Sequence, residues 1–318
     1  MPNNYLVVGG AGFIGSHFVE ELLARKKGLV RVVDNLCSGT MGHIAKFMDN
    51  PGFEFVKINV ENTEDLIRAM ESIETVIHLA SNPDIAKAAV EPRIDFVQGT
   101  ALTESVAEAA RISGVRTILY ASGSGVYGDA GETTLSESSP TNPISTYGAS
   151  KLAGEALLAS YSFMFGLKCL GFRFANVVGP KQTHGVGFDF LRRLVQDPNR
   201  IEILGDGNQS KSYIHVKDVV SAVLLCEEKL GSGFDVYNVS TSDFVSVNEI
   251  AEVVMEQLGL RPEKVIRTYS GGERGWKADV PVVRLSASKI SMLGWAPLFN
   301  SREAVKKSIA EMYSELMR

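Results

Sequence analysis

Residues 5–18 read YLVVGGAGFIGSHF, and the seven residues GGAGFIG at 9–15 decide how the rest of the chain is read. The apolar run Tyr5–Val8 predicts a buried strand, glycines follow at 9, 12 and 15, and a helical pattern opens at Phe13. Strand, glycine turn and helix N-terminus in that order let backbone amides approach a pyrophosphate, whose charge the helix dipole favours. The matching acid is Asp34, which ends the next apolar run 19 residues after Gly15. A carboxylate there accepts hydrogen bonds from a ribose diol and repels a 2′-phosphate, so NAD is expected rather than NADP. The plainer reading, a tight turn with an incidental acid, requires strand, loop, helix and acid to fall in register by chance.

Outward from this turn, short apolar runs alternate with helix-length segments. Strands are expected at Val30–Val33, Phe53–Ile58, Thr75–Leu79, Thr117–Ala121 and Lys168–Phe174, and helices around Glu64–Met70, Thr100–Arg111 and Tyr147–Phe165. Continuous apolar strands separated by helices imply parallel βαβ units, hence an α/β fold of Rossmann type, a doubly wound parallel sheet covered on both faces. Beyond Phe174 the pattern loosens into GPKQTHGVG (179–187) and GDGNQSKS (205–212), with helices expected near Phe188–Val195, Val219–Glu227, Val247–Leu258 and Arg302–Leu316. The expected division is an NAD-binding domain over 1–175 and a smaller α/β substrate-binding lobe over 176–318, with 213–240 returning to the first sheet.

At 318 residues the chain is long enough to bury a sizeable core. It is 45% hydrophobic and 22% charged, with no run approaching the ~18 apolar residues of a membrane span, so no membrane partner is expected. The stretch MPNNYLVVGG carries no basic segment ahead of its apolar run, which argues against a secretory signal and for the cytoplasm. The net charge of −5 is spread without a basic stripe, so no nucleic-acid partner is expected. Cys37, Cys169 and Cys226 are odd in number and far apart, which argues against both disulfides and a metal site.

The segment YGASK places Tyr147 and Lys151 four apart at the start of a helix, on one face. A free tyrosine has a pKa of about 10, and bringing it near 7 takes roughly 4 kcal/mol. A lysine ammonium one turn away, together with a nicotinamide cation, supplies a field of that kind and makes the phenol a base for a substrate hydroxyl. An isolated Tyr-x-x-x-Lys is ordinary on a solvated helix. Downstream of a dinucleotide turn it becomes specific.

These residues resemble the extended short-chain dehydrogenase/reductase family, and within it the NAD-dependent nucleotide-sugar epimerases and dehydratases. The resemblance runs along nearly the whole chain: GGAGFIGSH, VVDNLCSG (32–39), HLAS (78–81), SGVYG (124–128), YGASK, FRFANVVGP (172–180), GDGNQSKSYIHVKD (205–218) and RGWKAD (274–279). It implies a pyrophosphate site on Gly9, Gly12, Phe13, Ile14 and Gly15, with Asp34, Asn35, Ser38 and Gly39 about the adenine ribose and Asn59 and Val60 flanking the base. Leu79, Ala80, Ser81 and Phe174 would lie along the nicotinamide half, where Lys151 and Tyr147 also reach the cofactor. Asn176, Lys211, Tyr213, Arg274 and Asp279 would hold the sugar nucleotide. A UDP-hexose substrate and a homodimer built on the helices at 100–113 and 147–165 are implied as well.

The chain departs from the family at several places. Asn59 replaces an aspartate, Pro83 a lysine, Phe96 an asparagine, Lys211 and Trp276 each an arginine, and the hydroxyl four residues before the Tyr127-Gly128 pair is Gly123. In YASGSGVYG (120–128) two serines flank that glycine, and Ser122, nearer the strand end, is expected to share the substrate proton with Tyr147, with Ser124 second. Dehydratases of the family carry an acidic pair in this turn where Ser124 and Gly125 stand, and acid–base catalysis of that kind contributes about 10²–10⁴-fold. The resemblance therefore favours epimerisation at C4 of a UDP-glucose or UDP-galactose type substrate through a 4-keto sugar. A nucleotide-sugar 4-dehydrogenase or 4,6-dehydratase is the alternative, and a non-catalytic nucleotide sensor, which commonly lacks the Tyr or the Lys, comes last.

Overall fold

A computed structural model describes residues 3–26, 28–83, 85–276 and 279–317. Met1 and Pro2 of the amino-terminal stretch and Lys277 and Ala278 of the RGWKAD segment lie outside the described residues.

The apolar runs form one sheet of seven strands: β1 (Tyr5–Val8), β2 (Val30–Asp34), β3 (Phe53–Lys57), β4 (Thr75–His78), β5 (Thr117–Gly123), β6 (Lys168–Phe174) and β7 (Phe234–Val239). Their order is β7-β6-β5-β4-β1-β2-β3, and the pairings from β3 through β2, β1 and β4 to β5 are parallel. β1 and β4 are buried along their whole length, as strands covered on both faces must be. The fold is the expected Rossmann-type α/β sheet. Strand order reverses between β1 and β4, and in such sheets the crevice at the carboxyl ends of the strands beside that switch is where ligands bind.

Four helices matter for the site: α1 (Phe13–Ala24), α2 (Thr63–Ala69), α3 (Leu102–Ser113) and α4 (Thr146–Phe165). α4 starts at Ser145, whose hydroxyl accepts the Gly148 amide, and stops at Gly166, whose φ of +74° is left-handed. A helix was expected to open at about Thr100; instead α3 is preceded by a wider π-helical turn, Phe96–Ala101, and a short helical turn, Arg93–Asp95. π-turns of this kind tend to mark functional segments. This one lies tight against α4, since a Cβ on Gly99 would come within 2.6 Å of the Ser150 hydroxyl.

Two compact units share the chain: Met1–Val126, Pro143–Arg173 and Val223–Tyr237 form the first, and Tyr127–Asn142, Phe174–Ala222 and Asn238–Arg318 the second. β7 does return to the first sheet, whereas Tyr213–His215 pairs with Asn176–Val178 inside the second unit. Residues 127–142 also fall in the second unit, because strand Thr134–Leu135 pairs with Val282–Leu285 and Asn238 binds the Leu135 carbonyl at 3.0 Å. Its core gathers Phe190, Leu191, Leu194, Ile250, Val254, Val305 and Ile309 from the helices at 186–196, 247–257 and 301–316. No helix among the described residues is long and apolar enough to cross a membrane.

Candidate active site

The turn after β1 is built by close approach. Gly9 has φ +82°, and a Cβ on Gly15 would stand 2.3 Å from the Gly9 carbonyl oxygen, so α1 starts where only glycine fits. Gly12 caps α1 without any side-chain hydrogen bond, which leaves the amides of the first turn to an external acceptor. Asp34, 7% exposed, takes the Ala11 amide on Oδ2 (3.0 Å) and the Leu36 amide on Oδ1 (2.8 Å). An ionised carboxylate has about four acceptor positions, so two remain for a vicinal diol. Gly39 closes over it, since a Cβ there would meet both Asp34 oxygens within 2.9 Å. Phe13, Ile14, Leu79, Ala80 and Ser81 are part-exposed, Asn35, Ser38 and Asn59 are exposed, and Val60 is buried. The Leu79 and Ala80 amides both donate to the Val8 carbonyl (3.0 and 3.1 Å), which ties the HLAS segment to the glycine turn. These residues fit NAD.

Tyr147 and Lys151 project from the first turns of α4, as their spacing requires. The buried Lys151 ammonium donates to the Ala121 carbonyl (2.8 Å) and sits 5.5 Å from the centre of the Tyr147 ring and 5.3 Å from that of Tyr120. Burial pulls its pKa down to about 8, which the nearby Asp95 partly opposes. Tyr147 goes the other way from the sequence expectation. Burial of the phenol, then the Asp95 charge, push it up to about 12, and only a hydrogen bond from Ser81 works in the lowering direction. In the cofactor-free chain the phenol is therefore protonated at neutral pH.

Ser122 is placed differently from the expected partnership with Tyr147. Residues two apart on a strand share a face, so Tyr120 and Ser122 both meet α4, the first at Gly154 and the second at Glu155. The Ser122 hydroxyl donates to Glu155 Oε1 (2.5 Å), and the same carboxylate takes Arg173 Nε and Nη2 at 3.0 and 2.7 Å. All three residues are at most 5% exposed. Its single proton is committed to a buried ion pair that neighbouring helix and strand hold in place. Ser124 opens a one-turn 3-10 helix and is part-exposed, and Gly123 stands free of close neighbours. The hydroxyl that bonds Tyr147 is Ser81, expected only as a cofactor neighbour.

The residues expected to hold the sugar nucleotide gather in the second unit. Asn176 and Tyr213 are register partners in a parallel pair and their side chains share a hydrogen bond. Lys211 Nζ pairs with Asp279 Oδ1 (2.6 Å), the Gly275 amide donates to Asp279 Oδ2 (3.1 Å), and Arg274 binds both the Asp279 carbonyl and the Asp129 carboxylate. Phe174, the last residue of β6, is buried. Arg284 was missed by sequence reasoning: it donates to the Ser210 carbonyl (2.8 Å) and hydroxyl (2.7 Å) and stacks 3.5 Å over Phe244. Asp95 was missed too, since its burial comes from contacts with Asn82 and Thr146 in other segments. Among the described residues no group of His, Cys, Asp or Glu side chains is arranged to hold a metal.

Residues 5–240 match the family model described as the NAD dependent epimerase/dehydratase family. The chain belongs to that family. It is an NAD-dependent enzyme of the nucleotide-sugar epimerase type, with the extended short-chain dehydrogenase/reductase fold. It is 32% identical to the UDP-glucose 4-epimerase of Mycolicibacterium smegmatis over 312 residues, 96% of each chain. A crystal structure of a UDP-galactose 4-epimerase superposes with a TM-score of 0.87 at 39% identity, covering 98% of this chain and 99% of that one. MoeE5 in complex with UDP-glucuronic acid and NAD superposes with a TM-score of 0.87 at 29% identity, covering 98% and 100%. In this chain the glycine turn, Asp34 and the Tyr147–Lys151 pair all belong to the first unit, and the hydroxyl bonded to Tyr147 is that of Ser81, in the segment that follows β4.

Proposed function

We propose that the enzyme interconverts the C4 epimers of a UDP-hexose, of the UDP-glucose/UDP-galactose kind, through a transient 4-keto sugar. The observation that carries this reading is the Tyr147–Lys151 pair with Ser81 on the phenol, next to a turn that bears Gly123, Ser124 and Gly125 and no carboxylate. NAD, when bound, would accept and then return the C4 hydride, and its cationic ring would add to the Lys151 charge in favouring the phenolate. Tyr147 takes the proton of the 4-hydroxyl as the keto sugar forms and gives it back when the alcohol re-forms. Ser81 holds the phenol oxygen and passes or steadies that proton, while the Lys151 ammonium stabilises the phenolate. Asp34 grips the adenine ribose, and the α1 N-terminus takes the pyrophosphate. Lys211, Arg274, Asn176, Tyr213 and Asp279 hold the substrate phosphates and uridine. With lysine at 211 the charge is kept and the bidentate fork is lost.

A carboxylate in the 122–126 turn would be needed to strip the C5 proton, so elimination is disfavoured. A homodimer is supported by the apolar surface of α3 and α4, where Ile112, Phe163 and Met164 are 50, 93 and 67% exposed. Cys37, Cys169 and Cys226 form no disulfide, which supports a reducing, cytoplasmic setting. The test is to incubate the purified enzyme, without added cofactor, with UDP-galactose and with its N-acetyl and uronic analogues. Conversion of one of them to its C4 epimer is expected, and failure of all three overturns the proposal.

A further inference from the structure

Asp95 is a carboxylate with 1% exposure, at the end of the turn Arg93–Asp95. A buried carboxylate is tolerated only when its oxygens are hydrogen-bonded. Oδ1 accepts Asn82 Nδ2 at 2.8 Å, and Oδ2 accepts the Thr146 hydroxyl at 2.7 Å. Asn82 directly follows Ser81, and Thr146 directly precedes Tyr147. One carboxylate therefore spans the two segments that bring the Ser81 hydroxyl to the Tyr147 phenol.

The charge has a second consequence. Among the described residues, the titratable groups that face the Tyr147–Lys151 pair are His78 of β4, Tyr120 of β5, Glu155 of α4 with Arg173 of β6 bound to it, and Asp95. His78 is fully buried and stays neutral, held down to about 3 by burial and then by the Lys151 charge. Tyr120 is held neutral by its own burial. Glu155 is matched by Arg173. The two hydrogen-bond donors that hold Asp95, by contrast, are a neutral amide and a neutral hydroxyl. Among the described residues, its negative charge is thus the one that acts on both Lys151 and Tyr147.

We propose that Asp95 is a positioning residue of the proton relay: its two oxygens clip the Ser81 segment to the Tyr147 segment, and its charge holds the Lys151 ammonium in place beneath the phenol. This rests on the proposed role of Tyr147 as the base. The same charge opposes loss of the phenol proton, so the position trades basicity of the tyrosine for a charged lysine at working pH.

The test compares Asp95→Asn, Thr146→Val and Tyr147→Phe in the NAD-loaded enzyme as purified. Asp95→Asn removes the charge, so both limbs of the pH–kcat profile are expected to move to lower pH, with kcat down about 10²-fold and KM within roughly twofold. Thr146→Val frees one oxygen and keeps the charge. It is expected to lower kcat about tenfold with the profile in place. A readout independent of turnover is ¹³C NMR of ring-labelled tyrosine, in which the resonance absent from Tyr147→Phe is expected to titrate at lower pH in Asp95→Asn. A profile and a resonance that stay put in Asp95→Asn overturn the proposal, even if stability falls. If Asp95→Asn does not fold, an unchanged kcat in Thr146→Val overturns it instead. Turnover surviving in Tyr147→Phe sinks the base assignment itself, an outcome separate from either.

Discussion

Replacing Ser122 with alanine separates a structural hydroxyl from a catalytic one. The hydroxyl donates to a buried carboxylate at 2.5 Å, and hydrogen bonds to charged groups are worth about 1.5–3 kcal/mol. Glu155 keeps both bonds from Arg173, so the cost should sit near the lower half of that range, about 2 kcal/mol. For a folding unit of the size of the first one, that corresponds to a fall in Tm of roughly 4–8 °C. The variant should be assayed by thermal melting and by kcat/KM in parallel with Ser81→Ala, whose hydroxyl bonds the phenol. Ser122→Ala is expected to melt early and turn over within about threefold of the parent, whereas Ser81→Ala should melt within ~1 kcal/mol of it and lose about 10²-fold in kcat. The reverse pattern, an unshifted Tm with a hundredfold loss of kcat in Ser122→Ala, would refute the assignment of Ser122 to the Glu155–Arg173 pair.

Other expectations follow from the same geometry. Tyr147→Phe should keep the fold and lose about 10²–10⁴-fold in kcat, read by initial rates. Asp34→Ala strips the acceptor from the Ala11 and Leu36 amides and from the ribose, so NAD affinity, measured by calorimetry, should drop by about 10–100-fold. Lys211→Met leaves Asp279 without its charged partner and should raise KM for the sugar nucleotide about tenfold with little change in bound NAD, whereas a fall in kcat alone would argue that Lys211 is not on the phosphates. Lys151 binds its proton less tightly in the folded chain, at about 8, than at its ordinary 10.5. The unfolded chain thus holds the extra proton between those values, and stability relative to Lys151→Met should rise with pH from about 8 to 10.5 and show its full deficit below 8. Urea melts of cofactor-stripped protein check this, and parallel stability curves for the two proteins would contradict it.

Much of the first unit was legible because its strands are unbroken apolar runs; β1 and β6 fall on the residues expected of them. The Tyr–Lys pair was legible for the same local reason, a spacing of four on a helix. The second unit was not, since pieces such as Thr134–Leu135 and Ser210–Lys211 are two residues long and owe their pairing to partners far away in the chain. The choice between serines failed for a related reason. Nearness to the strand end spoke for Ser122, but strand alternation turns it toward Glu155, and that neighbour is set by how α4 packs on β5. Ser81 and Asp95 reach Tyr147 through contacts between separate segments, which no local pattern encodes.

The most direct measurement uses UDP-galactose carrying deuterium at C4, incubated with the enzyme as purified and analysed by NMR and mass spectrometry. Oxidation and return at one carbon by one bound NAD predict the C4 epimer with its deuterium kept at C4. No epimer, or an epimer whose label has exchanged with solvent, would contradict the proposed chemistry.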